Sequence, residues 1–91
     1  MSVRVHMPPV LRMVCGGERW LAADGTTITG LMRALAERNP ALRLHLFDEA
    51  GAIRRNIVFL HKGDLVRSHE AGVRTLADGD ELILTNALAG G

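Results

Sequence analysis

The chain has 91 residues, room for one domain, and a chain of this size buries about two thirds of its unfolded surface, enough for a core without metal or disulfide staples. Hydrophobic residues make up 47%, outside the disordered range, and a net charge of +1 lacks the strong field that nucleic-acid or membrane binding draws on. Aromatic residues are 3% of the chain, too few for platforms that stack single-stranded bases.

The first element is "VRVHM" at residues 3–7, which alternates Val3, Val5 and Met7 with Arg4 and His6. A period of two marks a half-buried strand, and Pro8-Pro9 end it. "CGG" at 15–17 has the composition of a hairpin turn and "ERWLAA" that of the returning strand. Either Trp20 or Leu21 packs inward; the alternation leaves both open. "TTITGLMRALAERNP" at 26–40 is the clearest element. Ile28, Leu31, Met32, Leu35 and Ala36 share one helical face, Thr27 can cap the start, and Asn39-Pro40 stop it, because the residue before proline avoids the helical region. Gly30 costs this helix stability, which close approach to a strand would excuse.

A turn-rich stretch, "LRLHLFDEAGAIRR", leads into a strong strand, "NIVFLH". "KGD" at 62–64 marks a tight turn before the short strand "LVR", and "DGD" at 78–80 turns into the last strand, "ELILTNAL". The order strand, strand, helix, strand, short strand, strand predicts an α+β fold, a mixed sheet with one helix packed across it. The layout is that of the β-grasp, or ubiquitin-like roll, over residues 1–86, with 87–91 as a flexible C-terminal diglycine tail; a ferredoxin-like fold needs just one more helix, and the pattern alone leaves it open. If Ile57 and Phe59 face the core with Leu82 and Leu84, then Val58, Leu60 and Ile83 form an outward apolar patch. A shift of one residue would exchange the two sets.

Side chains that carry chemistry elsewhere are scattered here. Cys15 is the only cysteine, with no histidine near it in sequence, which fits a bystander thiol. His6, His45, His61 and His69 have no metal-ligand spacing. No phosphate loop follows a strand, and Asp78 and Asp80 around Gly79 suit a turn better than an acid–base pair. Arg54-Arg55 read as a solvated edge that can also steer an acidic partner. The absence of a signal-peptide layout, a bilayer-length apolar run and paired cysteines makes a reducing cytoplasm the expected compartment.

The end of the chain, "LADGDELILTNALAGG", resembles the C-terminal segment of the ThiS/MoaD sulfur carriers. There a Gly-Asp turn, a hydrophobic last strand and a terminal Gly-Gly come in that order. "VRVHMPPVLR", "GGERWLAADGTTITGLMRALAERNPAL" and "NIVFLHKGDLVR" resemble the longer CysO-like branch, so the likeness covers nearly the whole chain. Family members often carry a proline a few residues before the diglycine, where this chain has Asn86 and Ala87.

The resemblance implies a β-grasp protein that is not itself an enzyme. It implies that an E1-like (MoeB/ThiF-type) adenylyltransferase, using ATP and Mg²⁺, activates the Gly91 carboxyl and converts it to a thiocarboxylate. A sulfur-accepting biosynthetic enzyme would take the sulfur for cysteine or another metabolite. No bound cofactor, metal or catalytic residue is implied on the carrier. Ala89 and Gly90 would thread the partner's channel, where bulky side chains would not fit. Five extended residues reach about 15–18 Å at most. Val58, Leu60 and Ile83 would be the docking patch. Three other functions stay open: a MoaD-like small subunit of molybdopterin synthase, a ubiquitin-like modifier conjugated through Gly91, and a plain interaction domain.

Overall fold

In the computed structural model, which describes residues 2–86, the elements run β1 (Ser2–His6), α1 (Pro9–Arg12), β2 (Trp20–Asp24), α2 (Ile28–Arg38), α3 (Pro40–Leu46), β3 (Ile57–His61), β4 (Asp64–Arg67), a 3-10 turn at Ser68–Glu70, and β5 (Glu81–Asn86). The strands form one mixed sheet in the order β2-β1-β5-β3-β4. β1 and β5 are parallel at its centre, and the other neighbours are antiparallel. This is the β-grasp arrangement expected from the element order. The expected tail, residues 87–91, lies outside the described residues.

The alternation of β1 holds: Val3, Val5 and Met7 are fully buried. On β2, Leu21 pairs with Val5 and packs against the core, whereas Trp20 pairs with His6 on the other face. All five predicted apolar residues of α2 are buried. The Thr27 hydroxyl accepts from the Gly30 N–H at 3.2 Å, capping the helix.

Gly30 does not serve the purpose expected of it. A side chain there would meet the capping hydroxyl of Thr27 at 3.3 Å rather than a strand. Gly25 is the glycine with no room, since a Cβ would lie 2.7 Å from the backbone of Leu31.

The fold has more helices than the one expected. α1 is a single turn that starts on the second of the two prolines closing β1, and α3 starts on the proline that stops α2. Proline lacks the N–H that a helix's first turn leaves unpaired, so Pro40 both terminates one helix and opens the next. Leu42 and Leu46, four apart, are buried, and Leu44 between them is 74% exposed.

The two turns into the last strands follow their sequences. Lys62 and Gly63 both take positive φ, 53° and 81°, as a two-residue hairpin requires. Gly79 has φ 84° and donates its N–H to the Ser2 carbonyl at 2.8 Å, while Asp78 accepts from the Ser2 N–H at 2.7 Å. The start of β1 is thereby tied to the turn before β5. Among the described residues no helix is long and apolar enough to cross a membrane.

Candidate functional site

Strand parity decides which side chains a partner can meet. Ile57, Phe59, Leu82 and Leu84 face the helices, each at 3% exposure or less. The alternate residues therefore face outward. Leu60 is 36% exposed and Ile83 half-buried, but Val58 is only 5% exposed. Val58 departs from the expected patch: it points away from the core cluster, yet it is covered. Its cross-strand partners are Arg67 and Thr85, and the Thr85 hydroxyl donates to the Val58 carbonyl at 3.0 Å.

Register supplies what spacing along one strand does not. Leu60 pairs with Leu65 and Ile83, Ile83 pairs with His6, and His6 pairs with Trp20. Leu65, Leu60, Ile83, His6 and Trp20 thus form one row across the outer face of all five strands. Leu65, at 60% exposure, is its most open member. At the other end Trp20 is held in place: His6 meets it edge-on at 4.9 Å, and the Arg4 guanidinium lies 4.4 Å from its ring centre. Arg4 is itself paired with Glu81 at 3.0 Å.

Two clefts flank the end of β5. One, of about 450 Å³, lies between His6, Pro8, Pro9, Val10 and the Ile83–Thr85 segment, and is mostly apolar. The second, of about 260 Å³, is bounded by Val10, Leu11, Leu44, Arg54 and Ile57 and shares Leu84 and Thr85. Val10 of α1 and Leu44 of α3, both exposed, stand around the point where the chain leaves the sheet. A partner that takes the end of the chain would meet apolar surface on both sides of it. Gly91, Gly90 and Ala89, the expected reacting and threading residues, lie outside the described residues.

The opposite end of the sheet is polar and internally matched. His61 is 2% exposed. Arg74 Nε donates to His61 Nδ1 at 2.9 Å, so the ring proton sits on Nε2, which donates to Asp80 at 2.8 Å. Arg74 also donates to the His61 carbonyl at 3.1 Å and to Asp64 at 2.9 Å. The Ala77 N–H and the His61 ring hold Asp80 below its ordinary carboxylate value, with nearby Lys62 adding to the effect.

This cluster joins residues up to 19 positions apart, and no spacing in the sequence points to it. With one nitrogen given to an arginine and the other to a carboxylate, the imidazole is committed to structure. Cys15 is likewise inward: its Sγ donates to the Leu11 carbonyl at 3.2 Å, and burial, then Glu18, pushes the thiol up. A buried thiol with a raised pKa is a poor nucleophile. Among the described residues no three His, Cys, Asp or Glu side chains gather as metal ligands.

The ThiS family model matches residues 10–91. The sulfur carrier protein CysO of Mycobacterium tuberculosis is 28% identical over 93 residues, spanning 100% of both chains. SAMP1 of Haloferax volcanii, the small archaeal modifier protein 1, is similar over 100% of both chains at a TM-score of 0.82 and 26% identity. The CysO complex with BexX from Amycolatopsis orientalis contains a chain similar at a TM-score of 0.80 and 27% identity, covering 98% of this chain and 99% of that one.

Proposed function

Because this chain belongs to the ThiS family, we propose that it carries sulfur on its C-terminal carboxylate, as the thiocarboxylate of Gly91. The observation that carries the reading is the sequence Ala-Leu-Ala-Gly-Gly, placed after a last strand that an apolar row crosses at Ile83 and whose end is flanked by two clefts. A body shaped to be gripped, ending in residues small enough to thread a channel, suits a protein handed between enzymes.

The chemistry arises from what a carboxylate lacks. Its charge is delocalised and it has no leaving group, so sulfur cannot displace oxygen directly. An E1-like adenylating enzyme, with ATP and Mg²⁺ in its own active site, joins the Gly91 carboxylate oxygen to the α-phosphorus and releases pyrophosphate. Hydrosulfide then attacks the acyl carbon, the bond to the AMP oxygen breaks, and a proton is lost as the thiocarboxylate forms. A thiocarboxylate stays ionised near neutrality and is nucleophilic through sulfur. An acceptor enzyme making cysteine or another sulfur metabolite can draw on it without free sulfide. In this reading the carrier supplies no acid, base or metal.

Docking is assigned to the row Leu65, Leu60, Ile83, with the clefts around Val10 and Leu44 receiving partner side chains near the tail. Support for a protein partner comes from CysO of A. orientalis, whose structure is of a complex with BexX. The likeness to SAMP1, a protein called a modifier, favours a second reading in which the same adenylate is passed to a lysine amine.

Gly90→Ala and deletion of Gly91 test the assignment. Both should leave the body folded and abolish thiocarboxylate formation by the activating enzyme. Full sulfur transfer by either variant would contradict it. Conjugates that vanish with Gly91 would select the modifier reading.

A further inference from the structure

We infer that the cleft lined by Arg55, Arg67, Ser68 and His69 is an electrostatic docking site for acidic side chains on the protein that receives the tail. The inference rests on the carrier reading, and its starting point is how the arginines are used. Arg4 is paired with Glu81, Arg12 donates to the Met7 carbonyl, Arg38 to the Ala22 carbonyl, Arg54 to the Leu44 carbonyl, and Arg74 to His61 and Asp64. Among the described residues no carboxylate or carbonyl holds the guanidinium of Arg55 or Arg67. The two line one cleft of about 440 Å³ with His69, and no carboxylate lines it. The nearest acid in the chain, Glu70, is turned to the Arg67 backbone N–H at 3.0 Å. Arg33 and Arg43 also share a cleft, but Glu37 lines it too.

Position gives the cluster its meaning. Arg55 lies two residues before Ile57, which pairs with Asn86 at the end of β5. Arg67 pairs with Val58 at that same end of the sheet, two strands over from β5. Two strand spacings put the cleft about 10 Å from the point where the tail leaves. A protein that takes residues 87–91 into a channel must therefore bring its surface over these arginines.

The occupant is a protein surface rather than a small anion. Exposed ion pairs in water are individually weak, so one free anion gains little here. Several carboxylates carried on a surface already held by the tail gain orientation and a faster encounter. Arginine's planar fork suits paired carboxylates.

The test measures affinity for the purified E1-like adenylyltransferase that activates the wild-type chain, over a series of salt concentrations. Arg55→Glu/Arg67→Glu should bind roughly tenfold more weakly or worse at low salt and lose most of the salt dependence shown by the wild type. Arg55→Lys/Arg67→Lys should stay near the wild type, which excludes loss of fold as the cause. Arg33→Glu/Arg43→Glu, a charge reversal of equal size elsewhere, should change little. Equal binding by the Arg55→Glu/Arg67→Glu variant would overturn this inference and leave the carrier reading intact. A wild-type chain that no adenylating enzyme binds would remove the carrier reading and this site with it.

Discussion

The two ends of the sheet are built on different terms. At the end holding the Asp78-Gly79-Asp80 turn, charge and polarity are answered from within: His61 lies between Arg74 and Asp80, Arg74 reaches Asp64, and Asp78 and Gly79 hold the start of β1. At the end where β5 finishes, Val10 and Leu44 stand exposed, two clefts lie open, and Arg55 and Arg67 face solvent. Buried polar groups stabilise a fold only when each finds its partner, whereas unanswered surface groups are available to another molecule. One end thus fixes the position of β5, and the other surrounds its exit with surface that a partner can grip.

Substitutions should separate the two. The largest loss of stability is expected from His61→Ala, which leaves Arg74 and Asp80 without the ring between them. About 3 kcal/mol should disappear in urea unfolding, and a loss below about 1 kcal/mol would mean the cluster relaxes around water. Gly25→Ala comes next, because its new methyl must displace the backbone of Leu31. Roughly 2 kcal/mol is expected there, whereas Gly30→Ala should be neutral or slightly stabilising in the same assay.

Acid acts on the matched end more gently. Asp80 lies below its ordinary value of 3.8 when folded, so its contribution is fully present above that value. The contribution is lost as pH falls through the lower folded value. Stability measured from pH 5 downward should therefore decline, and Asp80→Asn should flatten part of the decline. A small stability effect belongs to the docking row: Leu65→Asp, at its most exposed member, should change unfolding by no more than about 0.5 kcal/mol. The same change should weaken binding to the activating enzyme severely. An unaltered affinity would move the docking surface off this row.

The parts legible in the sequence are those with one strong period. The spacing of α2 marks its five buried residues, and the alternation of β1 marks Val3, Val5 and Met7. The unbroken apolar runs of β3 and β5 instead leave two parities open, of which the structure takes the one with Ile57, Phe59, Leu82 and Leu84 inward. The prolines mislead, because the same residue that stops α2 is well suited to begin α3. The Leu42, Leu44, Leu46 alternation also hides the helix, of which only the outer two leucines are buried.

Register carries the rest. The outer row draws one residue from each of five strands, and the His61 cluster joins β3 to two loops, so neither has a signature within one segment. Val58 shows the limit of parity reasoning: alternation gives its direction correctly, but exposure depends on what lies across the neighbouring strands.

The most direct test of the carrier account is high-resolution mass analysis of the C-terminal fragment after co-expression with an E1-like adenylating enzyme and a sulfur source. Intact mass is unsafe, because oxidation of any of the four methionines adds nearly the same mass as replacing oxygen by sulfur. The account predicts sulfur in place of one oxygen, confined to Gly91. A fragment that stays a plain carboxylate with every activating enzyme tried would contradict it.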